Sequence, residues 1–213
     1  MTIKDIYHQF GVPPNLQEHM LRVTQVALFI CNHWTGPALN QTNLLQIALL
    51  HDLGNVVKFD FDKHPEFLGD EIINLDFWRN EQQKIIAQYG PDDHQATQKM
   101  LEEIGAPSLV TQTILAKGFG NSIATKDSTS WELKILHYAD LRVMPTGVST
   151  LQARLDEVLN RLDKYKNRPD LPDLVQACKD IERQIQENLS VNISQITDAA
   201  IGPLNKKLLY TQI

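Results

Sequence analysis

Apolar residues recur at steps of three and four along almost the whole chain, and no stretch alternates long enough to read as a half-buried strand. Pro13-Pro14 open a helix with Leu16, Met20, Val23, Ala27 and Ile30 on one face, ending near Thr35-Gly36-Pro37. Asn40 or Thr42 caps the next, LLQIALLHDL, which Gly54 closes. Residues 55–75 mix a short alternation, VVKFDFDKHPEF, with Pro65 and Gly69, which break it, so a loop with one or two helical turns is expected. Helices follow at about 76–89, 93–104 and 107–116. The polar segment GFGNSIATKDST, residues 118–129, reads as a surface loop.

Thr129 with Glu132, and Ser149 with Gln152, have the spacing of capping boxes. The first opens a helix to about Met144, stopped by Pro145 and Gly147. The second opens one bearing Leu151, Leu155, Val158, Leu159 and Leu162. After Arg168-Pro169 a last long helix carries Leu171, Leu174, Cys178, Ile181 and Ile185 on one face. That stripe spans fewer than three heptads, so packing on the body is expected ahead of a coiled-coil partner. It is also where a homodimer contact would form. The pattern predicts an all-α protein, a single helical core with an appended helical segment.

Composition narrows the class of function. With 42% hydrophobic and 22% charged residues, the 213-residue chain suits a packed globular body. A net charge of −6 without a basic stripe argues against polymeric nucleic acid, though not against a single nucleotide. The opening MTIKDIYHQFGVPP lacks the apolar core of a signal peptide. Runs such as Val26–Cys31 and Ile47–Leu50 are too short to cross a bilayer. Cys31 and Cys178 form no CxxC. Reduced, buried thiols in a cytoplasmic protein without a membrane partner are the expectation.

The informative residues are ionisable groups on apolar helix faces. His19 lies three residues after Leu16 and four before Val23. His51 follows Leu44 by seven and Ala48 by three, Asp52 follows Leu45 by seven and Leu49 by three, and Asp140 follows Leu133 by seven and Leu136 by four. Residues so spaced share a helix face, which turns all four inward. Taken singly, an inward His can be a hydrogen-bonded core residue and an inward Asp a cap or an ion-pair member. Together, two buried carboxylates need cations, because an unpaired buried charge costs several kcal/mol. Arg22 and Arg142 are the nearest candidates by sequence. A divalent ion shared with two imidazoles would neutralise both carboxylates at once. Two nitrogens and two oxygens suit Mn, Fe, Mg, Zn or Co.

The order His19, His51-Asp52, Asp140 resembles the HD-domain superfamily of metal-dependent phosphohydrolases. LLHDLGN looks like that family's signature helix end, ILHYADLRV like its later helix, and PPNLQEHMLRVTQVALFI like its first core helix. The likeness covers about residues 12–165 and implies an all-α, HD-domain-like helical bundle as a metal-binding core over 1–165, with additional C-terminal helices over 166–213 packed on it. It implies a metal on His19, His51, Asp52 and Asp140 that activates water against a nucleotide or other small phosphate ester, with Asp52 orienting the water.

Binuclear members carry two further histidines between the doublet and the last Asp. His94 resembles the first, while Lys117 stands where the second is expected. One tightly held metal follows, with His94 catalytic and His94 and Lys117 facing substrate; a second metal on His94 and Asp52 stays open. Lys58 and Arg142 are further candidates for binding substrate, although a lysine such as Lys58 is more commonly a surface charge. His137 is either a support for a ligand or a core hydrogen-bonding residue. His8, His33 and His64 lack a pattern, and Asp60 and Asp62 lack the spacing of a calcium loop. Two other functions compete: a metal-containing regulatory or ligand-binding module with little turnover, and a di-iron oxygenase, which would need a full binuclear shell.

Overall fold

The computed structural model describes residues 1–161 and 168–213. Leu162, expected on the stripe of its helix, and the boundary at 165/166 lie outside the described residues. The fold is all-α with one two-stranded hairpin. Its first helix, α1 (Ile3–Gln9), is not among those expected. The signal is nonetheless in the sequence. The Thr2 hydroxyl accepts from the Asp5 amide while the Asp5 carboxylate accepts from the Thr2 amide. Ile3, Ile6, Tyr7 and Phe10 then form a buried face at helical spacing.

Three helices place the later chemistry: α2 (Pro14–Asn32), α3 (Gln41–Leu50) and, further on, α8 (Trp131–Asp140). Asn40 caps α3 by accepting from the Asn43 amide, and its own amide donates to Glu132 in the first turn of α8 at 2.8 Å. The starts of α3 and α8 are thereby tied together. Each helix has ten residues, so their C-terminal ends arrive level, one delivering His51-Asp52 and the other Asp140. His19, in the second turn of α2, meets both ends, so α2 runs against them.

Residues 55–75 form turns as expected, Asn55–Lys58 and Pro65–Asn74, the latter kinked at Gly69. Helices α4 (Leu75–Tyr89), α5 (Asp93–Glu103) and α6 (Ser108–Ala116) agree with the periodicity to within one residue at each end. The segment read as a surface loop instead contains a 3-10 turn (Phe119–Asn121) and α7 (Ser122–Asp127), with Ser122 and Thr125 buried. Its polarity misleads because a short hydroxyl can satisfy itself locally: Ser122 donates to the Phe119 carbonyl at 2.7 Å.

Neither capping box forms; simple N-caps one residue later take their place. Ser130, not Thr129, accepts from the Leu133 amide, and Thr150, not Ser149, from the Ala153 amide. Helix α8 also stops at Asp140 rather than Met144. Val143–Met144 (β1) and Gly147–Val148 (β2) pair antiparallel around Pro145-Thr146 before α9 (Leu151–Arg161) begins.

The stripe on α10 (Leu171–Gln186) is covered within the chain: Leu174, Cys178, Ile181 and Ile185 are fully buried against α7 and α8. Leu171, at the start of the stripe, is partly buried. Both cysteines are free and buried. Beyond α10 the chain crosses back over the body through α11 (Asp198–Ile201). Gln25 donates to the carbonyls of Ile201 and Pro203 and accepts from the Asn205 amide, and Arg22 donates to Gly202. Among the described residues no helix is long and apolar enough to cross a membrane.

Gly54 is a packing glycine. Its φ of −89° suits any residue. An added Cβ, however, would lie 2.6 Å from the Thr97 amide nitrogen and hydroxyl and 2.9 Å from the Asp93 carbonyl. Gly54→Ala should lower stability by about 2 kcal/mol in denaturant titration, as overpacking does. Gly120→Ala would meet only the movable end of Arg168, at 3.2 Å, and should stay within about 0.5 kcal/mol of the parent.

Candidate metal centre

Helix α3 ends at Leu50, and its exposed carbonyls recruit donors. The Tyr7 hydroxyl donates to Leu49 at 2.5 Å, and His51 Nδ1 donates to Ala48 at 2.9 Å. A carbonyl can only accept, so Nδ1 carries a proton and Nε2 is the nitrogen turned toward the acids. That nitrogen is buried without a hydrogen-bond partner. It faces Asp52 Oδ2 and Asp140 Oδ1, each 3.6 Å away and outside hydrogen-bond reach. His19 Nε2 completes the group, 3.1 Å from Asp140 Oδ1 and 3.6 Å from Asp52 Oδ2.

These four donor atoms lie within 4.8 Å of one another. Two imidazole nitrogens and two carboxylate oxygens converge in a largely buried space, close enough to share one cation. The donor set therefore fits a divalent ion. The orientation of His51 by a backbone carbonyl is the usual support for a ligating imidazole.

The remaining oxygens of the two carboxylates have another partner. Lys117 Nζ is 2.7 Å from Asp52 Oδ1 and 3.0 Å from Asp140 Oδ2, and its side chain is 12% exposed. Lys117 follows directly on α6, where Gly118, at φ 140°, turns the chain. Three helices, α3, α6 and α8, thus end at one point, and their partial negative charges add to those of the carboxylates. Burial pushes both carboxyls up, but Lys117 and the imidazoles outweigh it and hold them below the usual carboxylate range. Burial works against the Lys117 charge too, and Asp140 and Asp52 still hold its pKa above the ordinary lysine value.

The site opens into a cleft of about 1650 Å³. His94 is exposed and lines this cleft, outside the four-residue group. Lys58 also lines it, half-exposed and paired with Asp93 at 2.6 Å and with Asn55. Arg142 is placed elsewhere: it is buried, and its guanidinium donates to the carbonyls of Ser149 and Ile196 and to the Tyr138 hydroxyl. It pins the hairpin and the returning C-terminal segment, which leaves none of its role to substrate. The arginines on the cleft wall are Arg22, held by Asp198 and Gly202, and Arg154, paired with Glu157. Arg154 carries no sequence signal, because an Arg in the first turns of a helix is ordinary.

A family profile of the HD domain matches residues 16–141. The chain belongs to the HD domain family. The match begins just before His19 and ends just after Asp140, so it encloses all four clustered residues of this HD domain. Searches of curated proteins and of solved structures return no match.

His137, one turn before Asp140, serves the core of the domain. Its Nε2 lies 3.2 Å from the Ser122 hydroxyl, which Cys178 Sγ also approaches at 3.2 Å. Burial pushes the His137 imidazole down to about 4.

Two outcomes follow. Mn²⁺ at a hundred times its Kd should stabilise the protein by about 2.7 kcal/mol, read as a raised Tm, and His51→Gln should lose that response. The unfolded chain takes up a proton at His137 near pH 6.5, and the folded chain does so only near 4. Stability should therefore be full above pH 6.5, fall by up to about 3 kcal/mol as pH drops toward 4, and level off there. A His137→Gln variant should show a flatter profile across that window.

Proposed function

We propose that this HD domain protein is a metal-dependent phosphohydrolase acting on a nucleotide or another small phosphate ester. The observation that carries this reading is the unpartnered, buried Nε2 of His51 aimed between two carboxylates at the floor of an open cleft. His19, His51, Asp52 and Asp140 would hold the ion. Once bound, a divalent cation acidifies water and polarises a phosphoryl oxygen.

The chain supplies the rest. Asp52 is ionised at neutral pH and oriented from both sides, by Lys117 on Oδ1 and the imidazoles near Oδ2, so it can align the attacking water. His94, exposed on the cleft wall, is the candidate to protonate the leaving oxygen. Lys58, also on the wall, is placed to attract a phosphate. Lys117 keeps a third N–H beyond the two that its carboxylates accept.

A second reading is a metal-containing binding module without efficient turnover. Lys117 favours it, since the ammonium engages half of the carboxylate oxygens that a richer metal shell would use. Metal analysis followed by a panel of nucleotides and simple phosphate esters with Mn²⁺, Co²⁺ or Mg²⁺ separates the two. Hydrolysis should appear, and Asp52→Asn should lower kcat by about a thousandfold, in the range lost when a group that aligns the nucleophile is removed. Stoichiometric metal with no turnover on the whole panel would favour the binding module.

A further inference from the structure

We infer that Lys117 is a built-in cation, fixed in the position a second metal ion would need, so that the centre takes up one divalent ion and no more. The inference rests on the metal-centre reading above and adds what sets its stoichiometry. Each carboxylate is divided: Asp52 Oδ2 and Asp140 Oδ1 face the imidazoles, while Asp52 Oδ1 and Asp140 Oδ2 accept from Lys117. The oxygens that could bridge to a neighbouring ion are the ones the ammonium holds.

Charge points the same way. Two carboxylates ion-paired to a single ammonium leave the site one net negative charge, which a single divalent ion turns to one positive. A second ion beside the ammonium would leave three positive charges in a space where Lys117 is 12% exposed. Like charges at that depth repel strongly.

Lys117 also acts as a positioning residue. By drawing one oxygen of each carboxylate toward α6, it turns the other toward His19 and His51, so the four-donor set exists before any ion arrives. Its ammonium is anchored at the end of a helix whose inner face, Val110 and Ile114, is buried, which fixes where the charge sits.

The test is a metal count on the full-length protein. Calorimetric titration with Mn²⁺, and elemental analysis after desalting, should give one ion per chain for the parent. The electron paramagnetic resonance spectrum should be that of an isolated Mn²⁺. Lys117→Met keeps the side-chain volume and removes the charge; it should bind two ions and show exchange-coupled manganese. Lys117→Ala gives the same readout should the Met variant fold poorly, and Lys117→Arg should return the count to one. Two ions in the parent, or one ion in both neutral variants, would overturn the inference while leaving the metal centre standing. No ion in the parent would overturn the metal centre and this inference with it.

Discussion

Two carboxylates, Asp52 and Asp140, are held in a largely buried space where the C-terminal ends of α3, α6 and α8 converge. Helix ends of that polarity and two ionised acids impose a demand for positive charge that water cannot meet there. Lys117 supplies part of it through direct hydrogen bonds to one oxygen of each acid. The other oxygens are left facing two imidazole nitrogens, one of which has no partner. Much of the rest of the structure can be understood as holding these groups in place despite their mutual repulsion.

The holding begins far from the site. A single hydrogen bond from the Asn40 amide to Glu132 sets α3 and α8 in register at their starts, and equal length brings their ends level. Tyr7 and His51 then satisfy the last carbonyls of α3, so the helix end can be buried at all. The turn that follows needs α5 to approach within contact of Gly54, where the Thr97 hydroxyl accepts from the Gly54 amide. The returning C-terminal segment, tied down by Arg22, Gln25 and Arg142, closes one wall of the cleft.

The cleft divides its roles by depth. Its floor is fixed: the four clustered side chains sit on or directly after helices, His51 oriented by a backbone carbonyl and the acids by Lys117, an arrangement that could hold a metal ion. Its rim is polar and exposed, with Lys58 and His94 on one side and the paired arginines, Arg22 and Arg154, among the other lining groups. On the proposed reading, the floor would hold the ion, and the cleft wall, the hairpin and the returning segment would select the substrate.

Helical periodicity in the sequence was enough to determine most helices to within a residue or two, and the inward direction of His19, His51, Asp52 and Asp140, because burial face follows from spacing along one element. The order of those four residues pointed to the HD domain, which the profile match bears out. What spacing could not carry was anything that depends on a partner remote in the chain. Arg142 looked like a substrate ligand until Tyr138, Ser149 and Ile196 were found around it. The polar segment 118–129 looked solvent-exposed, yet α10 covers part of it, and the stripe on α10 that suggested a second chain is covered in return. Lys117 was legible only as a lysine where a histidine was expected. Its engagement of one oxygen from each acid is a relation between residues 65 and 23 positions apart, and only tertiary packing decides such a relation.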